Sequence, residues 1–272
     1  MDSKAELKAM LGKLEQLPPI PKIAQKILRI KMLTERGERE LYELIEKDPA
    51  LMAKLIGLSN SPLYGLGRQI MTLHDAEAVL GSKRVKMTAL GFAMLSSLAK
   101  SSSKLDIDSL WKHCLSVALT MVALAKHMPA SRQPPDEDVY LAGLLHDLGF
   151  FVLSNLSPQL CDQFIDQLAS QPNRPIEAIE AELFETTHSE IGAELAKHWG
   201  LPDNIIEVIR FHHTPSESRD KSILVAITYM ASKLLPAFYI DPPMKTDMDV
   251  NDWKGFQERD HDRELYVPLQ GI

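Results

Sequence analysis

The 272-residue chain is 45% hydrophobic and 25% charged, a composition ordinary for a folded globular protein and contrary to disorder along its whole length. Its length suffices for one large domain or two packed lobes. The formal net charge of −7 and the absence of a long Lys/Arg run argue against nucleic-acid binding, because phosphate affinity comes from clustered basic residues.

The two cysteines, Cys114 and Cys161, lack CxxC spacing, which argues against a disulfide framework and fits a reducing compartment. The first ten residues mix acidic and basic side chains, so no signal peptide is expected. No uninterrupted apolar run reaches the length of about eighteen residues that marks a transmembrane helix. The expectation is a cytoplasmic protein without membrane association.

Helical periodicity dominates the chain. Leu7, Met10, Leu11 and Leu14 share one face of a first helix, ended by Pro18 and Pro19. Pro21 opens a second, with Ile23, Ile27 and Ile30 on one face. Leu41, Leu44 and Ile45 mark a third that stops near Asp48-Pro49, and residues 50–58 form a fourth that ends in a turn from Ser59 to Pro62. Two more helices, over 74–79 and 85–98, flank Gly81-Ser82. The polar stretch 100–104 breaks the pattern, so the chain divides into a lobe over 1–100 and a lobe over 101–235, with a polar, irregular tail over 236–272.

The second lobe opens with a stripe of Leu110, Cys114, Val117, Met121 and Leu124 at helical spacing. Residues 130–137 read as a loop and 138–155 as one helix. A turn at 172–175 precedes helices over 176–184, 188–199, 202–213 and 222–235. No alternating pattern is long enough to support a sheet, so the expected fold is all-α.

Five histidines sit at suggestive places: His113, His146, His188, His212 and His213. His146 and Asp147 interrupt an apolar helix side by side. Neighbouring helical positions point about 100° apart, so each must meet partners from other helices, as the core of a bundle allows. Imidazole nitrogen and carboxylate oxygen suit iron, manganese or zinc. His113 and His146 could lie on one side of a bridging Asp147, with His188, His212 and His213 on the other, a pair of ions then activating water and clamping a phosphoryl group. The same residues could instead form a buried polar network that ties helices together. His74, His127, His198 and His261 read as ordinary hydrogen-bonded or rim residues. Cys114 follows His113 directly, a spacing that argues against a Cys-His nucleophile pair. Lys83-Arg84 reads as a solvated face.

Taken together, these segments resemble the HDOD family, a bacterial signalling-output branch related to the HD superfamily of metal-dependent phosphohydrolases. The resemblance spans roughly residues 15–235. It rests on Leu17-Pro18-Pro19-Ile20-Pro21, Asp48-Pro49-Ala50-Leu51, Asn60-Ser61-Pro62-Leu63-Tyr64-Gly65, Ala142-Gly143-Leu144-Leu145-His146-Asp147-Leu148-Gly149, Glu180, His188-Ser189-Glu190-Ile191-Gly192-Ala193, Trp199-Gly200-Leu201-Pro202 and His212-His213-Thr214-Pro215.

It implies two packed helical lobes, the second an HD-domain-like bundle. It also implies that His113, His146 and Asp147 match the first positions of the HD metal motif. His188, His212 and His213 resemble the extra histidines of cyclic-di-GMP phosphodiesterases of the HD-GYP type. The aspartate that closes the HD motif is replaced near Ser232, and the glycine-rich segment expected after the paired histidines reads Thr214-Pro215-Ser216-Glu217-Ser218. The expectation is a non-catalytic signal-transduction domain, a degenerate phosphohydrolase, that binds a signalling protein or small ligand. It requires no cofactor, although iron, manganese or another divalent metal could still be held. The alternative is a phosphohydrolase with altered metal ligation.

Overall fold

The computed structural model describes residues 18–31, 34–60, 68–98, 103–171, 174–219 and 222–235. Among them, all regular structure is helical. The helices before residue 100, termed the first lobe below, are α1 (Lys22–Arg29), α2 (Glu35–Glu46), α3 (Pro49–Ser59), α4 (Leu73–Leu80) and α5 (Ser82–Ser96). Those after it, termed the second lobe, are α6 (Ile107–Lys126), α7 (Asp136–Leu145), α8 (Leu148–Leu156), α9 (Pro158–Ser170), α10 (Ile176–Phe184), α11 (His188–His198), α12 (Asp203–Phe211) and α13 (Ile223–Leu234). The helix expected around Leu7–Leu14 and the tail over 236–272 lie outside the described residues.

Local chemistry fixes where helices start. The first backbone N–H groups of a helix lack intrahelical acceptors, and a polar side chain at the N-cap supplies one. Thr34 accepts from the Gly37 amide, Asp48 from those of Ala50 and Leu51, and Asp106 from those of Asp108 and Ser109. Thr187 accepts from the Glu190 amide at the start of α11. Between α4 and α5 the chain turns on Gly81 at φ 81°, a conformation L side chains avoid.

The lobes share one continuous hydrophobic core. Helix α5 is the bridge: it buries side chains around much of its circumference, from Val85 to Leu95, and packs on both α1 and α7. Thr88 Oγ1 lies 3.0 Å from Tyr140 Oη across that contact. A second tie joins residues far apart in the sequence, where Trp199 Nε1 donates to the Pro18 carbonyl at 2.8 Å.

Two features of the second lobe depart from expectation. The stretch read as one helix over 138–155 is broken at His146-Asp147, where Asp147 takes φ −96° and ψ 22° and starts α8. Apolar residues run through the break, so periodicity alone does not reveal it. Helix α9 was not anticipated, although Pro158 at its first turn and buried Leu160, Cys161, Phe164 and Leu168 give it an amphipathic face. Two stretches, Ile107–Lys126 and Asp136–Leu156, are long and apolar enough to cross a bilayer by length and composition alone. In the second stretch 89% of the apolar window is covered by protein, as in a core helix.

Glycines set the crossings that matter for the cluster. A Cβ on Gly149 would lie 1.8 Å from the His188 carbonyl oxygen, and one on Gly192 would lie 2.8 Å from the Gly149 amide nitrogen. The absence of side chains at both lets α8 and α11 touch backbone to backbone. Gly143 does the same for α7 against Ala118 of α6.

Candidate metal centre

The break between α7 and α8 and the close α8–α11 crossing bring distant side chains to one point. Asp147 is the hub. Its Oδ2 lies 3.2 Å from His146 Nε2 and 3.6 Å from His113 Nε2; its Oδ1 lies 3.5 Å from both His188 Nε2 and His212 Nε2. His188 Nε2 in turn lies 3.2 Å from His212 Nε2 and 3.2 Å from His213 Nε2. All six residues singled out in the sequence therefore converge. They do so with His113 and His146 on one carboxylate oxygen and His188 and His212 on the other. Adjacent residues His146 and Asp147 meet directly because the helix ends between them; on a continuous helix they would diverge.

The outer ring nitrogens explain this arrangement. His146 Nδ1 lies 2.9 Å from the Gly143 carbonyl and His212 Nδ1 lies 2.9 Å from the Ile209 carbonyl. A carbonyl only accepts, so each Nδ1 carries the proton and each Nε2 presents a lone pair inward. His188 Nδ1 donates to Glu180 Oε1 at 2.6 Å, and His213 Nδ1 faces Glu177 Oε1 at 3.4 Å. Phe150 stacks on the His188 ring at 4.1 Å between centroids, which holds the imidazole plane.

These donors fit a transition-metal ion. Asp147, His188, His212 and His213 form one group and His113, His146 and Asp147 another, each with its ligand atoms within 4.8 Å of one another. Ligand bonds of about 2.1 Å in a tetrahedron put donors about 3.4 Å apart, close to the separations in the first group. Each inward-facing histidine of that group also has the outer partner that metal-ligating histidines generally have.

The protonation of the cluster follows from its burial. For Asp147, burial raises the pKa, but the facing His146 and the contacts with His188 and His212 outweigh it and hold the carboxyl well below the usual range. For His188, burial opposes protonation, yet the charges and hydrogen bonds of Glu180 and Asp147 push it up to about 10. Burial, chiefly, lowers His212 to about 4 despite Asp147. Burial, chiefly, also lowers His213. The buried Cys114 thiol beside Asp147 is pushed well above its ordinary value, chiefly by burial, so it is no nucleophile.

Ser232 is half-buried, and its hydroxyl donates to the Thr228 carbonyl of its own helix at 2.9 Å. His74, His127 and His198 are exposed, as ordinary surface histidines are. Sequence reasoning missed the roles of Glu177 and Glu180, which lie three apart on α10 and so share a face turned to His213 and His188. That spacing was the signal available.

The HDOD domain family model matches residues 17–215, and the chain belongs to that family. An uncharacterised protein of Treponema pallidum (strain Nichols) is 27% identical over 228 residues; the match covers 81% of this chain and 44% of that protein, so the chain spans less than half of its relative. An HDOD domain protein of unknown function from Geobacter sulfurreducens superposes with a TM-score of 0.71 at 24% identity, covering 93% of this chain and 86% of that one. A chain from Marinobacter aquaeolei VT8, assigned by name to signal transduction, superposes with a TM-score of 0.70 at 26% identity, covering 93% and 59%. One from Shewanella amazonensis SB2B, named as a metal-dependent phosphohydrolase, gives a TM-score of 0.59 at 21% identity, covering 87% and 86%.

Proposed function

We propose that this chain is a non-catalytic signalling output domain of HD descent, acting through a protein partner or small ligand. In this reading the histidine/aspartate cluster holds an ion, iron, manganese or another divalent metal, without turning over substrate. The observation that carries it is Ser232, whose hydroxyl bonds to its own helix at the place where the resemblance puts the last aspartate of the HD motif. Loss of that carboxylate removes a ligand and a negative charge that would offset a second ion. His213 and Glu177 are the exposed members of the cluster's surroundings, at 23% and 42% of their side chains, and a carboxylate there repels an anionic phosphoester. Two free, buried cysteines agree with a cytoplasmic setting.

The alternative is a metal-dependent phosphohydrolase, as the Shewanella amazonensis protein is named. The convergence of His113, His146, His188, His212 and His213 on Asp147 favours it. An ion in this site would supply Lewis acidity and an activated water. The two readings separate in one assay. The full chain, incubated with Mn²⁺, Fe²⁺, Co²⁺ or Zn²⁺, is expected to hydrolyse neither cyclic dinucleotides, nucleotides nor phosphomonoesters. Metal-dependent turnover that disappears in Asp147→Ala overturns the non-catalytic reading.

A further inference from the structure

Glu180 is fully buried, and one of its oxygens carries two bonds to the same residue. Oε1 accepts from the His188 ring Nδ1 at 2.6 Å and from the His188 backbone amide at 3.2 Å. The second bond satisfies an otherwise unpaired amide at the first residue of α11. The first fixes the ring, because a carboxylate holding Nδ1–H turns Nε2 toward Asp147, His212 and His213. Glu180 Oε2 is buried without a hydrogen-bond partner. A carboxylate left half-satisfied in the interior is costly, and a nearby positive charge is what offsets it.

We infer that Glu180 is a positioning residue of a one-ion centre: it holds His188 toward the ion and supplies, with Asp147, the second negative charge that balances one divalent cation. This rests on the ion-holding reading above. Asp147 and Glu180 are the carboxylates fully enclosed at the cluster, whereas Glu177 is half-exposed. Two buried negative charges neutralise one dication. A second dication on the His113–His146 side would leave two uncompensated charges in a dry site.

The test uses the full chain, Glu180→Gln and titration with Co²⁺ and Zn²⁺, followed by elemental analysis after desalting. Glutamine keeps the shape and an acceptor oxygen for His188 but removes the charge. The wild-type chain is expected to bind one ion, and Glu180→Gln to bind it about 10- to 100-fold more weakly with unchanged helix content, the usual effect of removing a partner behind a ligating histidine. A purely structural Glu180 would lower thermal stability and leave affinity within twofold, which overturns the inference alone. Two tightly bound ions per chain overturn the charge balance. A wild-type chain that binds neither ion overturns both this inference and the ion-holding reading.

Should Glu180→Gln not fold, NMR of the ¹⁵N-histidine-labelled, Zn²⁺-loaded wild type still decides. A slowly exchanging imidazole Nδ1–H close to the His188 backbone amide supports the assignment, and its absence overturns it.

Discussion

Around Leu41, Ile45 and Leu55 the first lobe closes on aliphatic side chains, and the buried Ser59 and Thr88 each reach a nearby oxygen. The second lobe instead buries His146, Asp147, Glu180, His188 and His212 in one connected cluster. An aliphatic interior is stabilised by removing apolar area from water and holds itself together. A polar interior must have each charge answered by another group. Changes in the first lobe should therefore register as stability alone, and changes in the second as stability, pH dependence and ion affinity together.

The sharpest way to break that comparison is Gly149→Ala. Its methyl would have to occupy space 1.8 Å from the His188 carbonyl oxygen, so α8 and α11 must separate. The expected loss is about 3 kcal/mol or more, at the upper end for an overpacked site, together with loss of ion binding. Chemical denaturation and metal titration of the same variant check both. Next comes Leu55→Ala, at a fully buried first-lobe position. It should cost about 3 kcal/mol while leaving ion affinity unchanged; a matching fall in affinity would mean the lobes do not act separately.

The pH dependence sharpens the second lobe further. His212 has a folded pKa of about 4, below the usual 6.5. Between those values the unfolded chain binds a proton that the folded chain refuses, so stability falls as pH drops from 6.5 toward 4. His188 is opposite. Its folded pKa of about 10 makes its contribution complete below 6.5, and that contribution is lost as pH rises toward 10. Protein treated with a chelator should thus be most stable near pH 6.5, with limbs of up to about 1.4 kcal/mol per pH unit per proton. His188→Gln should flatten the alkaline limb in thermal melts across pH. The smallest effect is Thr88→Val. It removes the 3.0 Å contact between Thr88 and the Tyr140 hydroxyl at the lobe junction, and about 1 kcal/mol of stability should go with no change in the pH profile.

The helices of the first lobe were legible because the signals are local. Asp48-Pro49 marks both the end of α2 and the cap of α3, and Gly81 separates α4 from α5. The six cluster residues were legible as residue types in order along the chain. Less so was the break at His146-Asp147, since Leu144, Leu145, Leu148 and Phe150 read as one apolar helix across it. Helix α9 was overlooked although Leu160, Phe164 and Leu168 carry its stripe. Glu180 stood in a recognised segment without a role, because its partner is eight residues away across a turn and no helical period connects them.

Taken alone, then, the sequence determined an all-helical chain, the places of most of its helices and the order of its histidines and aspartate. Those depend on contacts three or four residues apart, which a single chain displays directly. Only the tertiary structure decided that Asp147 offers one oxygen to His113 and His146 and the other to His188 and His212. It also decided that Glu180 and Glu177 stand behind the rings of His188 and His213. These relations depend on how closely α8 crosses α11 and α7 crosses α6, which Gly149, Gly192 and Gly143 permit by having no side chain.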